Sequence, residues 1–290
     1  MKTYTISKLA MLAGFLFTSS FANATVFTID TFAVEKNGST IFLDEFDDGN
    51  PPPSAPNFSN GNPATYFTLG NPGPESTGDR GTLQLDTSQG AETTSAVTGD
   101  PILMQRNRLS TNINNEDLSR GLKIDDDILV LGLYDFIAPE ANREGYHIRL
   151  TDFDSTNPNP NDNVQLGVRR SESGDVSVVF REGDFDNNVF NILGQYALTM
   201  SDFDFFDQIA LGLYTEANDN SVHAAFALLD YDNVVSDIFW EFDATGNIFD
   251  GENWTRAAFF AARAVPEPGS LALLAIGLAG LGFSQRRKGH

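Results

Sequence analysis

The 290-residue chain contains no cysteine. Disulfides, thiolate-held zinc, iron–sulfur clusters and a thiol nucleophile are thereby excluded. Positive charge is scarce as well: 18 Lys and Arg stand against 40 Asp and Glu, for a net charge of −22. With a pI near 4.2, too few cations remain to offset a phosphate backbone, so nucleic acid is excluded as a partner. Histidine occurs three times, and the G-x-S-x-G, H-E-x-x-H and P-loop patterns are absent. What the chain does have is 24 Phe and 41% hydrophobic residues beside only 20% charged ones. That is the composition of a protein with a substantial apolar core rather than of a disordered one.

The two ends read as addresses. Lys2 and Lys8 precede a short apolar run over residues 9–17, and Ala22-Asn23-Ala24 is an A-x-A cleavage site. This is the pattern of a signal peptide over residues 1–24, cut by signal peptidase to leave Thr25 first. At the other end Val265-Pro266-Glu267-Pro268-Gly269 is followed by a Leu/Ala/Gly-rich stretch over residues 271–283, then by Arg286, Arg287 and Lys288. A rigid Pro-x-Pro, a marginal apolar helix and a basic stop suit a segment inserted transiently in the membrane, its basic end kept on the cytoplasmic side. An ordinary C-terminal membrane anchor is the alternative.

That tail, residues 265–290, resembles the PEP-CTERM sorting signal of Gram-negative bacteria. The resemblance implies recognition of Pro266-Glu267-Pro268 by exosortase, a membrane-embedded cysteine transpeptidase. It also implies delivery to the cell surface or to the exopolysaccharide matrix of biofilms. Without the five cations and one anion of the two ends, the body over residues 25–264 carries 13 cations and 39 anions, a net charge of −26.

Within the body, apolar residues alternate with period two over residues 128–136, 145–150, 163–170, 175–181, 208–214 and 221–230. Ser173-Gly174 and Asn218-Asp219-Asn220 supply turn chemistry between neighbouring runs. Leu131-Gly132-Leu133-Tyr134 recurs as Leu211-Gly212-Leu213-Tyr214, as two like strands of one sheet would. Pro51, Pro52, Pro53, Pro56, Pro63, Pro72 and Pro74 exclude central strands from most of residues 49–101. That stretch reads as a surface excursion with one or two short strands, such as Thr82-Leu83-Gln84-Leu85. An all-β, antiparallel sandwich follows. The Asp44-Glu45-Phe46 opening and the paired runs near Ile209 and Val222 resemble the concanavalin A-like jelly roll of lectins, glucanases and laminin-G-like domains. With the two terminal helices added, this is the expected architecture; an immunoglobulin-like sandwich and a β-barrel are the alternatives.

Candidate chemistry is concentrated in acidic loops. Asp-aromatic-Asp occurs at Asp152-Phe153-Asp154, Asp184-Phe185-Asp186, Asp202-Phe203-Asp204 and Asp230-Tyr231-Asp232. Period-two alternation places both carboxylates on one side of a strand, where calcium could take them as hard oxygen ligands. The densest candidate set is Asp152, Asp154 and Asp162; a strand end with a core Phe and solvated Asp residues is the plainer reading. His147 and His223 lie inside alternating runs and read as strand histidines. Glu241-Phe242-Asp243 is the nearest approach to the carboxylate pair of a retaining glycosidase, and it lacks the second Glu of laminarinase-type strands. Trp240, Trp254, Tyr66, Tyr134, Tyr196 and Tyr231 are the possible sugar platforms, with Trp240 expected to fill the core. The expected function is an exported, non-catalytic surface or matrix protein that binds polysaccharide with calcium. A glycan hydrolase of the same fold and a purely structural matrix protein are the alternatives.

Overall fold

The computed structural model describes residues 24–46, 67–69, 81–97, 100–112, 126–153, 162–184, 189–216, 221–230, 237–246 and 254–265. The signal-peptide reading (except Ala24), Asp154, and everything beyond Val265, including Pro266, Glu267, Pro268, Arg286, Arg287 and Lys288, lie outside them. Among the described residues no helix is long and apolar enough to cross a membrane.

Strands dominate. In chain order they are β1 (Val26–Lys36), β2 (Ser39–Asp44), β3 (Phe67–Leu69), β4 (Leu83–Asp86), β5 (Ala91–Val97), β6 (Asp100–Asn112), β7 (Ile128–Asp135) and β8 (Gly145–Phe153). They continue with β9 (Asp162–Arg170), β10 (Val176–Asp184), β11 (Val189–Leu198), β12 (Gln208–Thr215), β13 (Val222–Leu229), β14 (Ile238–Glu241) and β15 (Trp254–Ala264). One short helix, α1 (Met200–Phe205), separates β11 from β12. The strands form two antiparallel sheets. The smaller runs β14-β13-β12-β7-β1-β2, with β4 also on β1. The larger runs β11-β10-β9-β8-β15-β6-β3, with β5 also on β6.

Local chemistry explains the hairpins. Asn37 and Gly38 both take positive φ, 52° and 72°, as the tight β1–β2 connection requires. Gly174 does the same at 97° between β9 and β10. Period-two alternation then sends Phe32, Val34, Val130, Tyr134, Ile209, Leu211, Leu213 and Phe226 of the smaller sheet inward. They meet Tyr146, Ile148, Leu150, Leu166, Val178, Phe180 and Phe259 of the larger one in a single buried core. Aromatic rings bridge the layers: Phe32 lies 4.8 Å from Phe259, Phe27 4.8 Å from Tyr146, and Tyr134 4.9 Å from Tyr146.

The recurring tetrapeptide has an unexpected arrangement. β7 and β12 are direct neighbours, and Gly132 pairs with Leu211. The two copies nevertheless point opposite ways. Gly132 faces the core, where a Cβ would come within 2.7 Å of Ile148 and 2.9 Å of Tyr134. Gly212 faces outward with only Ala225 in range, at 3.6 Å. Antiparallel pairing shifts the phase, so one sequence serves two roles.

Three other expectations change. The proline-rich stretch holds β3, β4 and β5, one strand more than expected. Asp202-Phe203-Asp204 is helical: the Asp202 carboxylate accepts from Thr199 N (2.6 Å) and Thr199 Oγ1 (2.8 Å) and caps α1. Phe203 stacks on Phe136 at 4.2 Å. Trp240 does not fill the core. It sits on the edge strand β14, 46% exposed, with its ring against Tyr196 at 5.1 Å.

Candidate functional site

The larger sheet has an unusual outer face. Residues alternating with the core positions of β6, β15, β8, β9 and β10 place Arg106, Arg108, Arg256, His147, Arg149, Gln165, Arg169 and Arg181 on that side. Six of the body's 13 cations thus share one sheet face. Cross-strand register orders them in rows. Arg108 pairs with Phe260, Phe260 with His147 and His147 with Gly167. In the next row Arg149 pairs with Gln165 and Gln165 with Arg181. A third row sets Arg106 beside Ala262 and Arg169 beside Gly145.

Packing fixes the centre of this face. His147 stacks on Phe260 at 4.9 Å and 13°, and the Arg149 guanidinium lies 5.6 Å from the same ring. Gly167 is needed beneath them: a Cβ there would fall 2.4 Å from His147 Cδ2. His147 is 3% and Arg149 6% exposed. Both ring nitrogens of His147 and the Nε of Arg108 and Arg149 are buried without a hydrogen-bond partner. The Arg181 guanidinium is held by a neutral amide, the Gln165 Oε1 accepting from Nη2 (2.7 Å) and Nε (3.2 Å). Gln165 in turn donates to Asn163, which donates to the Gly183 carbonyl at 3.3 Å.

Crowding cations into a buried place lowers their proton affinity. Burial first, and Arg106 second, bring Arg108 down to about 10. Burial, then Arg169 and Arg106, bring Arg181 to about 9, and burial with Arg108 brings Arg256 to about 9. All three stay protonated at neutral pH. Arg149 is pushed down by burial and then by Arg108, Arg106, Arg256 and Arg181. These arginines thus lie close enough to act on one another's charge, on a protein that is strongly negative overall. Beside it, over β9, β10 and β11, opens a cleft of about 320 Å³. Arg169, Arg181, Ser177 and Gln195 line it, with Arg143, Glu172 and Asp175 around them. Arg143 and Glu172 form an ion pair there.

His147 gives this face a pH signature. Burial, followed by the charges of Arg181, Arg169, Arg106 and Arg149, holds the imidazole well below its ordinary range. The unfolded chain binds a proton near pH 6.5 that the folded one refuses, so stability falls as pH drops below that value. Urea unfolding at pH 7 and pH 5 is expected to show His147→Leu losing less stability on acidification than the parent. The difference should approach about 1.4 kcal/mol per pH unit below 6.5.

The residues expected from sequence fall elsewhere. Asp152 is the penultimate residue of β8, opposite Thr255, and Asp162 opens β9 opposite Asp184. Register thus brings the backbone of Asp152, Asp162 and Asp184 to one end of the larger sheet, although their side chains are outside the description. Among the described residues no three acidic or imidazole groups could hold a metal. Glu241 lies exposed at the smaller sheet's edge, accepting from Tyr214 OH, while Phe242 turns into the core between it and the exposed Asp243. His223 stacks on Tyr214 at 5.1 Å, and Tyr134 is fully buried, its hydroxyl donating to the His147 carbonyl at 2.9 Å. Trp254 has only its backbone described, and Tyr66 and Tyr231 lie outside the described residues. The arginine face was missed; its signal was Arg106, Arg108, Arg149, Arg169, Arg181 and Arg256 recurring opposite apolar strand positions in a cation-poor chain.

No curated protein and no solved structure matches the chain. Its C-terminus, residues 264–288, matches the model of the PEP-CTERM protein-sorting motif. The motif marks the chain as an exported protein that exosortase sorts to the cell envelope.

Proposed function

We propose that this is a non-catalytic surface or biofilm-matrix protein of a Gram-negative bacterium, whose concanavalin A-like sandwich holds an acidic polysaccharide against the arginine face of its larger sheet. One observation carries the reading: a body of net charge −26 collects Arg106, Arg108, Arg149, Arg169, Arg181 and Arg256 on one side of one sheet. Overall repulsion would keep a polyanion away, so a cationic face has to be local and matched to carboxylates to hold one. Guanidinium forks suit carboxylates, and in the cleft beside them the exposed Gln195, whose amide nitrogen donates to the buried Ser177 Oγ at 2.7 Å, offers its amide oxygen to sugar hydroxyls. Calcium belongs to the same reading: Asp152, Asp154 and Asp162 are its proposed ligands, and it would bridge protein and polymer.

Retention on immobilised polyuronate and on a neutral glucan tests this. The parent is expected to bind the polyuronate only, and less as salt rises. Arg108→Gln with Arg169→Gln, both partly exposed, is expected to weaken binding about 100-fold. Equal retention on the neutral polymer, or none on either, overturns the acidic-glycan reading and leaves a structural matrix role. Unchanged polyuronate binding in chelator removes calcium from it.

A further inference from the structure

Glu144 is fully buried, with 0% exposure. Its Oε1 accepts from the backbone N of Thr25 (3.0 Å) and from Thr87 Oγ1 (2.8 Å). Its Oε2 accepts from Thr25 Oγ1 (2.6 Å) and from the backbone N of Glu140 (3.0 Å) and Ala141 (2.9 Å). Thr25 is itself 6% exposed. Its carbonyl accepts from Thr87 Oγ1 at 3.3 Å and its hydroxyl from Glu140 N at 3.1 Å. The carboxylate has five donors and no cation. Neither the Lys36–Asp126 ion pair (3.1 Å) nor Arg143–Glu172 includes it. Burying a carboxylate without a counter-charge is costly even when it is well hydrogen-bonded.

The missing charge has a source in the sequence. The A-x-A site Ala22-Asn23-Ala24 ends at the residue before Thr25. We propose that Glu144, Thr87 and the backbone of Glu140 and Ala141 form a binding socket for a primary ammonium group, the α-amine of Thr25 that signal-peptide cleavage releases. Water is added across the Ala24–Thr25 peptide bond. The carboxylate stays on Ala24 and leaves with the signal peptide; the nitrogen stays on Thr25 as an amine, which takes up a proton at neutral pH. The group already 3.0 Å from Oε1 then changes from a neutral amide donor into a charged one, and a hydrogen bond becomes a buried ion pair. The site sits where β1, the turn after β4 and the loop before β8 meet, so processing tightens three separated parts of the chain at once. Cleavage one residue to either side puts the charge in the wrong place.

The other charged groups around the socket are already engaged or point away. Arg143 pairs with Glu172, Arg170 donates to the Pro139 carbonyl at 3.0 Å, and the Asp86 carboxylate accepts from Ser88 N at 2.7 Å. The Glu140 side chain is exposed. A pH response of the socket therefore reports the amine.

The experiment compares the exported, processed protein with a precursor that Ala24→Leu keeps uncut, the latter in detergent. N-terminal sequencing of the processed form is expected to begin at Thr25. Paired with Glu144, the amine holds its proton above the ordinary value of about 8. Its contribution is complete below that pH and lost as pH rises through the raised value, so Tm of the processed form falls above about pH 8. The precursor has no amine there and shows no such fall. Glu144→Gln keeps an acceptor but removes the charge, and is expected to lower Tm of the processed form by about 10 °C and of the precursor by much less. A different first residue, matching alkaline profiles, or an equal effect of Glu144→Gln on both forms overturns the proposal. If Glu144→Gln does not fold, the two profiles of the parent sequence decide alone.

Discussion

A chain ended at residue 253 is expected not to fold, and one ended at residue 265 is expected to fold as the full chain does. The eleven residues of β15 (Trp254–Ala264) make the difference. β15 is interior to the larger sheet: it pairs with β8 from Trp254 to Ala262 and with β6 from Arg256 to Ala264. Removing it exposes both ladders and separates the β11-β10-β9-β8 half from β6, β3 and β5. It also takes Phe259, Ala257 and Ala261 out of the core. The loss exceeds the about 5–15 kcal/mol by which a domain is stable. Circular dichroism and resistance to protease separate the outcomes, and a folded 1–253 chain would contradict the topology. The sorting match begins at residue 264, where this strand ends.

The strands that sequence revealed are those with one apolar side and a clear turn. β7, β8, β9, β10, β12 and β13 all follow that rule, and Gly174 marks the tightest of their connections. β6 and β15 were illegible for opposite reasons. Arg106 and Arg108 stand where a simple strand would show small polar residues, and Ala257, Ala258, Ala261 and Ala262 are small enough to hide their alternation. Both are interior strands of the larger sheet, so the arginine face could not be assembled from sequence: its rows come from cross-strand register, which local patterns do not encode. The acidic loops were legible as composition, and Asp202 shows how that misleads. The same Asp-Phe-Asp reads as a strand end by alternation but folds as a helix start once Thr199 precedes it by three.

Phe259→Ala is expected to cost about 3–5 kcal/mol, the largest effect of any single substitution proposed for this protein. Its ring lies 4.8 Å from Phe32 and 5.6 Å from Phe46, joining the smaller sheet to the larger. Its neighbours on the same side of β15 are Ala257 and Ala261, and Leu109 is opposite on β6. Two alanines cannot swing into the vacated space, so the cavity stays open and the surrounding rings lose their contacts. Urea unfolding is the measurement, and a loss below about 1.5 kcal/mol would mean the two sheets do not meet at this ring. Phe260, one residue on, faces the other way, under Arg149 and beside His147. Phe260→Leu keeps apolar volume but removes the ring on which both rest, at an expected cost of about 1 kcal/mol. Adjacent phenylalanines thus divide the labour of the strand: one closes the core that an exported protein without disulfides depends on, and the other sets the floor of the arginine face.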